Sequence, residues 1–108
     1  MKKFYLFCSA GMSTSLLASK MQQSATAHNL PIEVKAFPIG KMGEIIDQFN
    51  PDCILLGPQV KYMLGDTVER YGHLNKPIFV IDMQDYGVMD GEKVLKTAIM
   101  HYKKNNQK

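Results

Sequence analysis

The chain has 108 residues, which is enough for one domain and hardly for two. Hydrophobic residues make up 45% of the chain and charged residues 21%, a composition that excludes a disordered protein. The formal net charge of +3 comes largely from lysines at the two ends: Lys2, Lys3, Lys103, Lys104 and Lys108. The rest of the chain is close to neutral, so the charge distribution gives no sign of nucleic-acid binding.

The first half of the chain predicts two strand–helix units. Residues 4–7 are an apolar run without a helical period, which is typical of a strand buried on both faces. Ser13 is predicted to cap a helix that ends near Asn29. Residues 32–36 alternate between apolar and charged side chains, as an edge strand does, and a short helix is predicted over residues 42–49.

The second half repeats this alternation. Residues 53–56 form another apolar strand, and Pro58 suits the first turn of a helix that is predicted over residues 58–71. A fourth strand is predicted at residues 78–81 and is followed by a loop over residues 82–90. An amphipathic helix completes the domain, and residues 103–108 are predicted to form a polar tail.

The order of these elements predicts an α/β fold with one four-stranded parallel sheet and helices on both faces. Strand two has the pattern of an edge strand, whereas strands one and three have the pattern of interior strands. The order 2-1-3-4 satisfies both requirements and gives a flavodoxin-like arrangement without a fifth strand.

The two cysteines, Cys8 and Cys53, fall at the exit and near the entry of predicted strands of one sheet. These positions suit a disulfide poorly, so we expect two reduced thiols. The basic N-terminus imitates a signal peptide only briefly, and no apolar stretch of the sequence has membrane-spanning length. We therefore expect a cytoplasmic protein without direct membrane insertion.

Ligands of open parallel sheets bind beyond the carboxyl ends of the strands, at the point where the strand order reverses. In the predicted order that point lies between strands one and three, which makes the loop after strand one the expected site. This loop reads Cys8, Ser9, Ala10, Gly11, Met12, Ser13, Thr14 and Ser15. Its glycine lets backbone amides converge, its hydroxyls add donors, and the helix N-terminus that follows favours an anion. The segment predicts a phosphate-binding loop.

Cys8 stands at the mouth of this loop and is the predicted nucleophile. A helix N-terminus favours the thiolate, which is the reactive form of cysteine. Taken alone, Cys8 is more typical of a small core residue, and the hydroxyl residues after it of ordinary helix capping. Their combination at the switch point favours phosphate chemistry, provided that the thiol is not walled off from solvent. Cys53 lies inside a strand and is predicted to be inert.

Three further residues are predicted to flank the Cys8 loop: Gln59 after strand three, and Asp82 and Tyr86 after strand four. The alternative is that they serve as ordinary loop and capping residues. We expect no metal or cofactor, because the histidines are scattered away from the strand exits: His28, His73 and His101. Several methionines fall near the same end and either serve a docking surface or pack inward: Met12, Met42, Met63, Met83 and Met89.

Residues 7–17 resemble the phosphocysteine loop of the lactose/cellobiose-type IIB components of the bacterial phosphoenolpyruvate-dependent sugar phosphotransferase system. Other segments resemble that family at matching places: residues 33–38, 55–60, 62–64, 86–87, 90–91 and 94–96. The resemblance covers the whole chain and implies one IIB domain over residues 1–108.

The resemblance implies a phosphoryl carrier. Such a protein accepts a phosphoryl group from a phosphohistidine of a IIA component and holds it as S-phosphocysteine at the residue matching Cys8. It then passes the group to a sugar bound in the membrane IIC transporter, beside which it works as a peripheral partner. Cellobiose, chitobiose and lactose are all compatible with the resemblance, and we expect a monomer that docks transiently.

One position separates this loop from the similar loop of low-molecular-weight tyrosine phosphatases. Their motif is Cys-x5-Arg, and Thr14 stands at the place of that arginine. Without this bidentate cation a phosphocysteine should resist water, and we expect Thr14→Arg to shorten its lifetime. A phosphatase or an arsenate-reductase-like enzyme is the alternative function. A response-regulator-like switch is disfavoured, because Gly57 and Pro58 follow strand three where its aspartate would stand.

Overall fold

Four short segments form the sheet of this protein, for which a computed structural model describes residues 1–9 and 12–106. The strands are β1 (Lys2–Cys8), β2 (Ile32–Pro38), β3 (Cys53–Leu56) and β4 (Ile78–Val80). They pair in parallel in the order β2-β1-β3-β4, which confirms the predicted topology. Phe4 of β1 pairs with Val34 on one side and Cys53 on the other, so β1 is a central strand.

Within residues 1–9 and 12–106, five α-helices connect or follow the strands: α1 (Met12–Ala27), α2 (Met42–Phe49), α3 (Leu64–Tyr71), α4 (Met83–Gly87) and α5 (Gly91–Asn106). Short 3₁₀ turns lie at Ile39–Lys41, Pro58–Met63 and Gly72–Leu74. In the described part of the chain, no helix is both long and apolar enough to cross a membrane.

Four local predictions are corrected by these bounds. Ser13 lies within the first turn of α1 and is not its cap, because the helix already begins at Met12. The helix predicted over residues 58–71 is divided, since Val60 has non-helical backbone angles between the 3₁₀ turn and α3. The predicted loop over residues 82–90 contains α4. Residues 103–106 of the predicted tail continue α5, where Lys103 and Lys104 suit the negative end of the helix dipole.

Alternating side chains of β1 divide the core into two layers. Phe4 and Leu6 face the layer that contains α1 and α5, whereas Tyr5 and Phe7 face the layer that contains α2 and the segment after β3. All of these side chains are buried, which explains why β1 has a continuous apolar sequence. The two layers confirm that helices cover both faces of the sheet.

Gly91 allows α5 to begin in direct contact with the backbone of α1. A Cβ atom at this position would lie 2.7 Å from Cβ of Lys20 and 2.8 Å from the amide nitrogen of Met21. Because backbone atoms of a packed helix have little room to shift, a larger residue at Gly91 forces the two helices apart.

We predict that Gly91→Ala lowers the free energy of unfolding by about 1–3 kcal/mol, the usual range for an overpacked site. Gly65→Ala is the matched control, because a Cβ at Gly65 meets no atom within 4 Å. The control should be neutral or stabilising by up to about 1 kcal/mol, since alanine favours the helix. Urea unfolding of the two variants measures both values, and equal stabilities would contradict the proposed contact.

Candidate active site

The candidate site lies at the carboxyl edge of the sheet, where β1 ends beside the end of β3. Cys8 is the last residue of β1 and Gly57 is the first residue after β3. The amide of Gly57 donates a hydrogen bond of 2.9 Å to the carbonyl oxygen of Phe7, which continues the pairing of the two strands by one step. This is the predicted switch point, because the chain proceeds from β1 to β2 on one side and to β3 on the other.

The Cys8 thiol has polar neighbours although it is buried. Its S–H group donates to Oε1 of Gln59 over 3.2 Å, and Oγ of Ser9 lies 4.0 Å from the sulfur. Cys8 is 3% exposed, whereas Gln59 and Ser9 are exposed residues. The thiol is therefore covered, in contrast to the open nucleophile that the loop sequence predicts, and an exposed side chain contributes to the cover.

Gly57 makes this arrangement of sulfur and carboxamide sterically feasible. A Cβ at position 57 would lie 2.9 Å from Sγ of Cys8 and 3.1 Å from Oε1 of Gln59. The first distance is shorter than real Cβ contacts and the second is tighter than most, so a larger residue would force the sulfur, and with it the carboxamide, to shift. No site role was predicted for Gly57, although a glycine directly after an apolar strand is a recognisable signal for close approach.

Thr14 and Tyr86 form a second contact near the start of α1. Their hydroxyl groups share a hydrogen bond of 2.9 Å, and the two residues are 3% and 8% exposed. Asp82 caps α4 by accepting from the amides of Gln84 and Asp85, and α4 in turn carries Tyr86. Of the predicted flanking residues, Gln59 contacts Cys8, Tyr86 contacts Thr14, and Asp82 has the capping role named as its alternative.

The remaining predicted loop residues have different positions. Met12 and Ser13 lie in the first turn of α1, and Ser15 is an exposed residue of the same helix. Ala10 and Gly11 lie outside the described residues. The first amides of an α-helix have no partner within the helix, so the start of α1 has the donors that an anion needs.

Cys53 and the histidines are not part of this arrangement. Cys53 is fully buried in β3, and this burial, with a smaller effect of Asp52, raises the pKa of its thiol far above the usual range. His28 pairs with Glu92 on the surface. His101 stacks on Phe79, and burial lowers the pKa of its ring. Among the described residues, no group of acidic, histidine and cysteine side chains could hold a metal ion.

The sequence of this chain matches a known protein family over most of its length. Residues 3–97 match the family described as "PTS system, Lactose/Cellobiose specific IIB subunit". The chain belongs to this IIB family. It is 42% identical over 100 residues to the galactose-specific EIIB component of Lactococcus lactis subsp. cremoris, with 90% of this chain and 93% of that protein covered.

Two further relatives are also EIIB components. The cellobiose-specific EIIB component of Lactococcus lactis subsp. lactis is 42% identical over 100 residues, covering 90% of this chain and 93% of the relative. The oligo-beta-mannoside-specific EIIB component of Bacillus subtilis is 37% identical over 99 residues, covering 92% and 94%. The IIB subunit described here is accordingly a component of a sugar phosphotransferase system.

Solved structures agree on the fold. The lactose-specific IIB domain of Streptococcus pneumoniae superposes with a TM-score of 0.84 at 19% identity, covering 94% of this chain and 97% of that domain. The cellobiose-specific IIB component of Borrelia burgdorferi gives a TM-score of 0.73 at 30% identity, covering 95% and 94%. These similarities confirm the predicted fold.

The Thr14–Tyr86 contact leads to a stability prediction. We expect Tyr86→Phe or Thr14→Val alone to lower the free energy of unfolding by about 1–3 kcal/mol, because each leaves a buried hydroxyl without its partner. The double variant should cost less than the sum of the two single variants, since it leaves neither group unpaired.

A double-mutant cycle measured by urea unfolding tests this coupling. Tyr62→Phe is the matched control for loss of a tyrosine hydroxyl, because Tyr62 is 76% exposed. Its stability should stay unchanged within about 0.5 kcal/mol. Strict additivity of the Thr14 and Tyr86 substitutions would show that the two hydroxyls do not interact.

Proposed function

We propose that this IIB subunit carries a phosphoryl group on Cys8. It accepts the group from a phosphohistidine of a IIA component and delivers it to a sugar bound in a membrane IIC transporter. The observation that carries this proposal is the position of the sulfur: it ends a central strand of a family member, directly before the segment that leads into α1. The family role also implies one IIB domain that works at the cytoplasmic face of the transporter.

The first transfer exchanges a nitrogen–phosphorus bond for a sulfur–phosphorus bond. The Cys8 sulfur attacks the phosphorus, the bond to the partner's imidazole nitrogen breaks, and that nitrogen takes up the proton that the thiol loses. The first amides of α1 support this step, because the N-terminal amides of an α-helix have no partner within the helix and favour negatively charged phosphoryl oxygens. Residues 9–15 are proposed to form the cradle, with Ser9 and Ser15 as exposed hydroxyl donors.

The second transfer regenerates the thiol. A sugar hydroxyl attacks phosphorus, the sulfur–phosphorus bond breaks, and the hydroxyl proton replaces the phosphoryl group on sulfur. Between the two steps the phosphocysteine must avoid water. Cys8 is buried in this structure, so each transfer requires its cover to open, and a sulfur that is covered again between the transfers restricts the approach of a hydrolytic water.

The position of Thr14 also favours a carrier over a phosphatase. Where the phosphatase motif has an arginine, this chain has a buried threonine bonded to Tyr86. A neutral hydroxyl stabilises the charge that develops during hydrolysis less than a bidentate guanidinium does. The Thr14→Arg test that the sequence suggests would also break the contact with Tyr86, so labelling of Cys8 is the sharper experiment.

We predict that Cys8→Ser abolishes the labelling of this subunit by a phosphorylated IIA component. Cys53→Ala is the matched control and should keep full labelling, because that thiol lies inside the sheet. Mass spectrometry of the wild-type protein should locate the phosphate on Cys8. Full labelling of Cys8→Ser would reject the proposal, and rapid release of nitrophenol from p-nitrophenyl phosphate would favour the phosphatase alternative.

Exposed apolar side chains near the same edge support docking of a protein partner. Tyr62 follows β3 and Met83 follows β4, and they are 76% and 63% exposed. Of the other methionines, Met42 is buried and Met63 and Met89 are partly buried, as the inward-packing alternative predicts. We propose that Tyr62 and Met83 belong to the surface that IIA or IIC contacts.

Met83→Gln should raise the IIA concentration needed for half-maximal transfer by about tenfold, because interface anchors commonly contribute 1 kcal/mol or more. Met100→Gln is the matched control. Met100 is 53% exposed, but it lies late in α5, which runs back toward the opposite edge of the sheet. Equal effects of the two substitutions on transfer kinetics would show that Met83 has no special role in docking.

A further inference from the structure

The Cys8 thiol is covered in this structure and must become accessible before it can accept a phosphoryl group. Cys8 is only 3% exposed, yet its sulfur must meet a phosphorus atom held by another protein. In the described part of the chain, the polar side chains that reach the sulfur are those of Gln59 and Ser9. Gln59 makes the shorter of the two contacts. Because Gln59 is an exposed residue, its carboxamide can move away from the sulfur without disturbing the core.

We propose that Gln59 is a positioning residue with two settings at the Cys8 sulfur. In the resting protein its Oε1 accepts a hydrogen bond from the S–H group, and the side chain covers the thiol. During transfer the carboxamide turns over and its Nε2 amide donates to a phosphoryl oxygen. The inference rests on the proposed function, because the second setting has a purpose only if a phosphoryl group reaches Cys8.

The chemistry of the two partners requires such a change. Oxygen Oε1 is only an acceptor, so it suits a protonated thiol and repels a thiolate or a phosphoryl oxygen. The terminal torsion of glutamine is broad and roughly two-fold, and half a turn brings the Nε2 donor to the place of Oε1. The same side chain can therefore hold the thiol before transfer and stabilise the anion afterwards.

The packing around Gly57 keeps this exchange local. Because Gly57 has no side chain, Sγ of Cys8 and Oε1 of Gln59 approach each other beside the position that a Cβ atom of Gly57 would take. Pro58 and Val60 on either side of Gln59 are buried, which fixes the backbone from which the carboxamide reaches the sulfur. Rotation of the side chain is thus separated from movement of the backbone.

Two variants distinguish this role from a merely structural one. Gln59→Ala removes both the cover and the donor, so iodoacetamide should alkylate Cys8 several-fold faster while phosphoryl transfer from IIA slows. The loss of transfer should be on the order of a hundredfold, as follows removal of one donor from an oxyanion site. A structural defect would instead expose Cys53 as well, and peptide mapping of the alkylated residues detects it.

Gln59→Glu keeps the size of the side chain but places a carboxylate beside the sulfur. Alkylation of Cys8 at neutral pH should then fall at least about tenfold, with its pH profile moved to higher pH, because the two negative charges repel each other. Gln48→Glu is the matched control, since Gln48 is exposed near the end of α2 and the charge change is the same. Its profile should equal that of the wild type.

The outcomes separate the two proposals. If the wild-type protein accepts phosphate on a residue other than Cys8, the proposed function fails. If Cys8 is labelled but Gln59→Ala alters neither alkylation nor transfer, or Gln59→Glu behaves as Gln48→Glu does, the role of Gln59 is overturned. Faster alkylation together with slower transfer in Gln59→Ala supports both settings of the carboxamide.

Discussion

The contact between the ends of β1 and β3 is the constraint on which the candidate site depends. Parallel pairing sets Phe7 opposite Leu56, and the amide of Gly57 extends this pairing to the carbonyl of Phe7. Cys8 consequently lies beside Gly57, and the sulfur has room there only because Gly57 has no Cβ atom. A shift of one residue in either strand would turn the thiol to the other face of the sheet.

A second tie connects the site to the last strand. Asp82 caps α4 directly after β4, α4 carries Tyr86, and Tyr86 bonds to Thr14 in the first turn of α1. Segments that follow three different strands therefore meet at one edge, although they are far apart along the chain. The contacts of Cys8 with Gln59 and of Thr14 with Tyr86 are hydrogen bonds between neutral groups, whereas Asp82 contributes a carboxylate only to the cap of α4.

The two cysteines differ in their neighbours and in their place along the strand. Cys53 is the first residue of β3 and packs in the core layer that contains α1 and α5, and its burial disfavours the charged form that a nucleophile needs. Cys8 is almost equally buried, but it ends its strand and has the carboxamide of Gln59 within reach. Exposure alone does not distinguish these two thiols. The polar partner and the place along the strand do.

The sequence alone determined the topology and the location of the site. Apolar runs without helical period predicted β1 and β3 as interior strands, and that order placed the reversal at Cys8, since periodicity and connection rules act locally. Only the tertiary structure decided which flanking residues touch the site. The contacts of Gln59 with Cys8 and of Tyr86 with Thr14 join residues separated by 51 and 72 positions. Their geometry depends on strand register and side-chain packing, which no local pattern encodes. The same packing buries the Cys8 thiol, which the sequence had predicted to be accessible to solvent.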